Sequence, residues 1–120
     1  MTKKELNEFE SRLEKKGYKK YPSIKEAKYA WYKSFGESGK EEDRSCYQIA
    51  FNIYDFTPYV DRDSNLKKNP YSCQPAILLS RTIDERVDID LVTQCYKNDI
   101  DKVESLAERF LEWAEKNIEI

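Results

Sequence analysis

The stretch "SCYQIAFNIYDF", residues 45–56, carries the clearest strand pattern in the chain. Large side chains occupy every second position, at Tyr47, Ile49, Phe51 and Ile53. Because the side chains of a strand alternate between its two sides, these four share one face and predict the core side of a sheet. The intervening residues face the other way: Gln48, Ala50, Asn52 and Tyr54. This second face must be covered, left to water or offered to a partner.

Neighbouring segments supply partners for this strand. The segment "KYAWYKSF", residues 28–35, alternates in the same way, with Trp31 on its apolar side. The segments "AILLSRTI" and "RVDIDLV" follow later and are joined by the "DE" of a tight turn. The segment "YKKYPS" predicts a short edge strand, because Pro22 lacks the N–H that a central ladder needs. Together these segments predict an antiparallel sheet of four to five strands.

Two helices are predicted, one at each end of the sequence. Thr2 and Glu5 form a capping box, and the apolar spacing behind them predicts a helix over residues 3–16 that Gly17 ends. Asp101 and Glu104 predict a second capping box. An apolar stripe with helical spacing accompanies it: Val103, Leu106, Ala107, Phe110, Trp113 and Ala114. The C-terminal helix is therefore expected to be strongly amphipathic.

The order of these elements predicts an α+β fold with a single α-β-β-β-β-α domain over residues 1–120. Its antiparallel four- to five-stranded sheet is flanked in sequence by an N-terminal and a C-terminal helix. Because each helix carries one apolar stripe, both are expected to pack on one face of the sheet. Residues 57–75 hold three of the four prolines and predict a long irregular connection.

Composition narrows the classes of function. The 120 residues include no His and three Gly, so zinc sites, His-based catalysis and glycine-rich phosphate loops lack their usual material. We therefore expect a protein that is not an enzyme and has no metal or cofactor. The remote alternative is a metal-dependent hydrolase using Asp88 and Asp90, which lie two apart on one strand face. The simpler interpretation is that these acids keep an edge strand from pairing with another chain.

The first residues and the lengths of the apolar runs indicate where in the cell the protein is expected. The opening "MTKKELNEFE" lacks the apolar core of a secretory signal, and no apolar run reaches the length of a membrane span. The sequence thus predicts a cytoplasmic protein without membrane contact. Three cysteines with no close pair, in a chain of this kind, indicate reduced thiols.

The polar side of the predicted sheet is the favoured contact surface. Tyrosine and amide side chains suit adaptable contact with a protein. The predicted partner-binding residues are Tyr32, Gln48, Asn52 and Tyr54 on the sheet, and Tyr59, Lys67, Lys68 and Tyr71 in the 57–75 loop. The function favoured is a small non-catalytic binding or regulatory protein with a protein partner. A homodimer through the same face or an edge strand is a variant of this hypothesis.

Nucleic-acid binding is the less favoured alternative. Residues 15–33 contain seven lysines and one glutamate, interleaved with aromatic residues. Lys19, Lys20, Lys28 and Lys33 would contact phosphates in this interpretation, and they would have to form one continuous positive patch. Against it, the segment has no arginine and the chain has a net charge of −2.

In length, charge content and helix–strand–helix order, the chain is similar to small accessory proteins carried by phages and mobile elements. The resemblance covers the whole chain and is one of composition and element order. It implies that a protein of the host or of the element is the partner, and that the chain acts on it as an inhibitor or regulator.

Overall fold

A computed structural model of the protein describes residues 1–22, 28–35, 47–61, 64–80, 86–91 and 98–117. Its helices and strands follow in this order: α1 (Lys3–Lys15), β1 (Lys19–Pro22), β2 (Tyr29–Ser34), β3 (Gln48–Asp55), α2 (Ser64–Lys68), β4 (Tyr71–Ser80), β5 (Arg86–Asp90) and α3 (Ile100–Asn117). A 3₁₀ turn, Thr57–Tyr59, lies between β3 and α2. The strands form one antiparallel sheet in the order β1-β2-β3-β4-β5. The predicted α+β fold is confirmed.

Helix α1 begins and ends as its sequence predicts. The Thr2 hydroxyl accepts from the Glu5 N–H at 3.2 Å, and the Glu5 carboxylate accepts from the Thr2 N–H at 3.1 Å. Both bonds satisfy N–H groups that have no partner inside the helix. At the other end Gly17 has φ +92°, a left-handed conformation that side chains with a Cβ disfavour.

Both terminal helices pack on one face of the sheet, here called the inner face. Phe51, at the centre of β3, lies between Trp31 on β2 and Pro75 on β4. The rings of Phe9 and Phe51 meet edge to face with their centroids 5.6 Å apart. Val103 and Ala107 of α3 are fully buried in the same apolar cluster. The predicted one-sided arrangement of the helices is confirmed, and the other side of the sheet is here called the outer face.

Strand β4 begins at Tyr71, five residues before the predicted start, and contains Pro75. The pairing of β4 with β5 begins at Ala76 and Asp90. Pro75 precedes Ala76 by one residue and therefore lies opposite Leu91. The Leu91 N–H donates to the Pro75 carbonyl at 2.9 Å. In a regular antiparallel pair, the N–H of residue 75 would also donate to the Leu91 carbonyl, but proline has no N–H.

The side chain of Gln74 replaces that missing bond. Its Nε2 donates to the Leu91 carbonyl. A proline is thus tolerated inside the sheet, since the acceptor that it would leave without a donor is satisfied by the preceding residue. The prediction of an irregular chain up to Pro75 was wrong for this reason.

The connection between β3 and β4 is also more regular than predicted. It contains the 3₁₀ turn Thr57–Tyr59 and α2. An Asp55 carboxylate oxygen accepts from the Thr57 N–H at 2.9 Å, as in an Asx turn. The Phe56 N–H donates to the Pro70 carbonyl at 2.7 Å and brings the two ends of the connection together.

The N-cap of helix α3 lies two residues before the predicted one. The Asp99 carboxylate accepts from the Lys102 N–H at 3.0 Å, and its carbonyl accepts from the Val103 N–H at 3.1 Å. Asp99 is therefore the N-cap, and the prediction of Asp101 was wrong. Asp101 lies in the first turn, where its side chain pairs with Lys16 at the end of α1.

No α-helix in the described part of the chain is long and apolar enough to cross a membrane.

Candidate protein-binding surface

The centre of the outer face is buried. Asn52 is 4% exposed, and the small side chains beside it, Ala30, Ala50 and Ala76, are 0–1% exposed. The Asn52 Nδ2 donates to the Gln74 carbonyl at 3.1 Å, which satisfies the amide within the sheet. The expectation that Asn52 is an exposed contact residue was wrong, because its amide is a part of the sheet's own hydrogen bonding.

Aromatic pairs surround this buried centre. Tyr32 is half-buried and its ring meets that of Tyr21 edge to face, with centroids 5.9 Å apart. Tyr21 itself is 43% exposed on the edge strand β1. Two residues past Asn52, the half-buried Tyr54 stacks on Phe56, with centroids 6.2 Å apart and an angle of 7° between the rings. These four rings, together with Tyr59, are here called the aromatic rim.

Sequence reasoning missed Tyr21 and Phe56. The signal for Phe56 was present, because it lies two residues after Tyr54 and so shares its side of the chain. The signal for Tyr21 was weak. Its place beside Tyr32 depends on the register of β1 on β2, in which Tyr21 lies opposite Ala30. An alanine leaves room for the neighbouring rings to meet above it.

The connection between β3 and β4 adds two exposed lysines and one tyrosine. Tyr59, in the 3₁₀ turn, is 46% exposed. Lys67 and Lys68 are exposed in the last turn of α2, which contacts the 3₁₀ turn. Gln48 is half-buried at the opposite end of β3, seven residues from Asp55, and so lies on the order of 20 Å from this connection.

Tyr71 does not belong to this surface. It is the first residue of β4, lies opposite Asp55 and packs against the inner-face cluster. Its N–H donates to the Met1 carbonyl at 3.1 Å, and the Lys3 Nζ lies 5.2 Å from its ring centroid. Tyr71 was predicted to lie in the 57–75 loop beside the outer face. It lies in β4 instead, because β4 begins before the predicted loop ends, and the alternation of the strand turns its side chain inward.

A hydrogen-bonded carboxylate, that of Asp55, lies where β3 passes into the connection to β4. Hydrogen bonds from the side chain and backbone of Thr57, aided by Lys28, lower the pKa of Asp55 to about 2. The Lys28 Nζ lies 2.9 Å from the Asp55 carboxylate. Asp55 is therefore charged at neutral pH and fixes the start of the connection that carries Tyr59.

The four lysines of the nucleic-acid alternative do not share one surface. Lys19 and Lys20 are consecutive in β1, so they point to opposite faces of the sheet. Lys20 lies over the Tyr29 ring, 4.0 Å from its centroid, and Lys33 pairs with Glu104 at 3.2 Å on the inner face. Lys28 is occupied by Asp55. The continuous positive patch that this alternative requires is not formed by them.

The acids of the hydrolase alternative lie on β5. Asp88 is opposite Leu78 and Asp90 opposite Ala76. Asp90 is exposed, while the side chain of Asp88 lies outside the described part of the structure. Within the described ranges, no group of three or more His, Cys, Asp or Glu side chains is placed to hold a metal ion.

A polar cluster on the inner face joins α1, the sheet and α3. Glu104 lies 3.2 Å from both Lys16 and Lys33, and the Lys33 Nζ lies 5.4 Å from the centroid of the buried Tyr18 ring. Burial, with the nearby carboxylates of Glu104 and Asp101, raises the pKa of Tyr18. The phenol therefore stays protonated, and we assign the cluster to holding the helices on the sheet.

Comparison of the chain with protein-family models, with curated proteins and with solved structures finds no match.

Proposed function

We propose that the chain is a small non-catalytic protein-binding module with a regulatory or accessory role towards its partner. Its contact surface would consist of the aromatic rim and the exposed lysines of α2. The observation that carries the proposal is the grouping of Tyr21, Tyr32, Tyr54 and Phe56 around one sheet face, with the exposed Tyr59 in the turn that follows Phe56. Aromatic side chains are enriched in protein interfaces and supply much of their binding energy.

The packing of the rim favours binding without a large entropic cost. The ring of Tyr21 packs against that of Tyr32, and the ring of Tyr54 packs against that of Phe56, so each pair restricts the rotamers of its members. Side chains that are ordered before binding lose less conformational freedom when a partner arrives. The buried amide of Asn52 supports this surface, since it is already hydrogen-bonded and needs nothing from the partner.

Charge at one end of the rim would orient the partner. Lys67 and Lys68 are exposed at the end of α2, which contacts the 3₁₀ turn that carries Tyr59. Charged groups at the border of an interface mainly set the association rate and the register. A partner with an acidic border at this point fits the surface.

Affinity capture with matched variants tests the proposal. The wild-type chain, a rim variant (Tyr21→Ala, Tyr54→Ala, Tyr59→Ala) and a control (Glu8→Ala, Ser11→Ala) are immobilised and exposed to native cell extract, and retained proteins are identified by mass spectrometry. Glu8 and Ser11 are exposed on α1, in the helix layer on the other side of the sheet. A protein that wild type and control retain and the rim variant loses would support the proposal.

The purified partner then allows affinities to be measured. Each rim alanine is expected to weaken binding by about fivefold or more, as for interface residues that cost over 1 kcal/mol. Circular dichroism confirms that the variants remain folded. Equal retention of every captured protein by the wild-type chain and the folded rim variant would refute a contact through the rim.

A further inference from the structure

The apolar stripe of α3 is wider than the part that the sheet covers. Val103 and Ala107 are fully buried against the inner face, whereas Leu106 and Phe110 are half-buried. Trp113 is 53% exposed. Residues spaced by four and then three lie above one another on a helix, so Leu106, Phe110 and Trp113 form one line along the margin of the buried stripe.

Three cations accompany this line on its solvent side. Lys102, Arg109 and Lys116 are spaced by seven residues, or about two helical turns, and all three are exposed. In the part of the chain that the structure describes, none of the three takes part in an ion pair. They form a column of positive charge beside a line of partly exposed apolar surface.

An open depression of about 450 Å³ lies along the first half of this column. Lys102, Ser105, Leu106 and Arg109 line it together with two acidic residues, Asp99 and Asp101. Both acids are already engaged, because Asp99 caps the helix and Asp101 pairs with Lys16. The charges in the depression that remain without a described partner are the two cations.

We propose that this side of α3 is a docking surface for an acidic amphipathic helical segment of a partner protein. The apolar positions of that segment would pack on Leu106, Phe110 and Trp113, as in helix-in-groove recognition. Carboxylates along one of its margins would face the column of Lys102, Arg109 and Lys116. Trp113 would be the anchor, since exposed tryptophans that become buried dominate interface energies.

A second copy of the chain does not fit this surface. In a two-fold symmetric contact between antiparallel helices, each flank of one helix meets the same flank of the other. The column of cations would then face itself, and like charges would repel. In a parallel pairing, the column of one copy would face the opposite flank of α3 in the other copy. That flank is already covered by the other copy's own sheet.

A broad anionic surface, such as a membrane or a nucleic acid, fits less well. Helix α3 has five acidic residues against three basic ones. Glu108 and Glu112 are exposed on the side of the helix beyond the column. A flat anionic partner would meet these acids as well as the cations, whereas a narrow helix laid along the stripe meets only the apolar line and the column.

This surface does not depend on the proposed role of the aromatic rim. It belongs to the helix layer on the inner face, and the rim lies on the outer face. If the variants of one surface do not change binding, the proposal for the other surface is therefore unaffected.

Titration with defined peptides tests the proposal. The probe is a synthetic 18-residue helical peptide with leucines at i, i+3, i+4 and i+7 spacing and glutamates along one margin. Its control has lysines in place of those glutamates. Calorimetry is expected to show at least tenfold tighter binding of the glutamate peptide, and NMR shifts should be centred on Leu106, Arg109, Phe110 and Trp113.

Two variants of the chain locate the site. Trp113→Ala should weaken binding of the glutamate peptide about thirtyfold, which corresponds to a hot-spot residue. The triple variant Lys102→Glu, Arg109→Glu, Lys116→Glu should reverse the preference in favour of the lysine peptide. The matched control (Lys3→Glu, Lys4→Glu, Lys15→Glu) changes the net charge equally at exposed lysines of α1 and should leave the preference unchanged.

Several results would overturn the proposal. The first is absence of binding of the glutamate peptide at millimolar concentration, and the second is equal affinity for both peptides. The third is a triple variant that keeps the wild-type preference. Sedimentation showing a dimer that Trp113→Ala dissociates would assign the surface to self-association instead. Stronger binding to phosphatidylglycerol vesicles than to the peptide would assign it to a membrane.

Discussion

The bond from Gln74 to Leu91 can be tested through its dependence on Pro75. Gln74→Ala removes the donor to the Leu91 carbonyl, and Leu91 is only 8% exposed, so that acceptor loses its partner in a poorly hydrated place. A buried acceptor left without a donor costs about 1–3 kcal/mol. We expect the free energy of unfolding to fall by about 2 kcal/mol.

The decisive measurement is a double-mutant cycle. Pro75→Ala restores an N–H that faces Leu91, because the Pro75 carbonyl already accepts from the Leu91 N–H at 2.9 Å. In this background the side chain of Gln74 becomes redundant. Gln74→Ala should then cost less than about 0.5 kcal/mol, which gives a coupling energy of about 1.5 kcal/mol. The cost of Pro75→Ala itself, which includes lost packing on Phe51, cancels in the cycle.

Urea unfolding followed by circular dichroism supplies all four free energies. Gln48→Ala is the control, because Gln48 is a half-buried glutamine on the same face of the neighbouring strand. It should change stability by less than about 0.5 kcal/mol. If Gln74→Ala costs the same with proline and with alanine at position 75, the side chain does not substitute for the missing ladder bond, and our explanation of the proline in β4 is wrong.

Two further predictions concern caps and pH. Asp99→Ala should destabilise the chain by about 1 kcal/mol through loss of the N-cap. Asp101→Ala should destabilise it less, because the ion pair of Asp101 with Lys16 is exposed. Thermal unfolding compares the two variants, and the reverse order would place the cap at Asp101. The pKa of Asp55 is lower in the folded chain, about 2, than its usual value of 3.8. Its stabilising effect is therefore complete above about pH 5 and is lost as the pH falls towards 2. Asp55→Asn should be less stable than wild type at pH 7, on the order of 1 kcal/mol since Lys28 is largely exposed. In unfolding experiments the difference should shrink as the pH falls below about 5 and vanish at about pH 1, below both pKa values. A constant difference would contradict the assigned cause.

The elements that sequence predicted well depend on local chemistry. The alternation around Phe51, the capping box at Thr2 and the position of Gly17 each involve residues within a few positions of one another. The placement of both helices on one face follows from a similarly local property, because each helix has one apolar stripe and β3 has one strongly apolar side. These features require no knowledge of what lies far along the chain.

The features that sequence did not predict depend on distant partners. Pro75 breaks a strand pattern unless a neighbouring side chain satisfies Leu91, which lies seventeen residues beyond Gln74. Asp99 and Asp101 can both cap a helix. Glu104 led to the prediction of Asp101, because it stands three residues after it as in a capping box. Helix α3 starts where Ile100 and Val103 are buried against the sheet, which is a tertiary constraint. Asn52 is polar and alternates with core residues, so only the sheet register shows that its amide bonds to the neighbouring strand.

The burial of Asn52 changes what the outer face can do. An exposed amide at its centre would have to be desolvated and paired by any partner, at a cost of about 1–3 kcal/mol if the pairing failed. The structure removes this cost, because Asn52 and Gln74 are satisfied by backbone carbonyls within the sheet. Specific polar contacts with a partner must then come from the tyrosine hydroxyls around this centre and from the lysines of α2. The centre of the face acts as a rigid support, and recognition is confined to its rim.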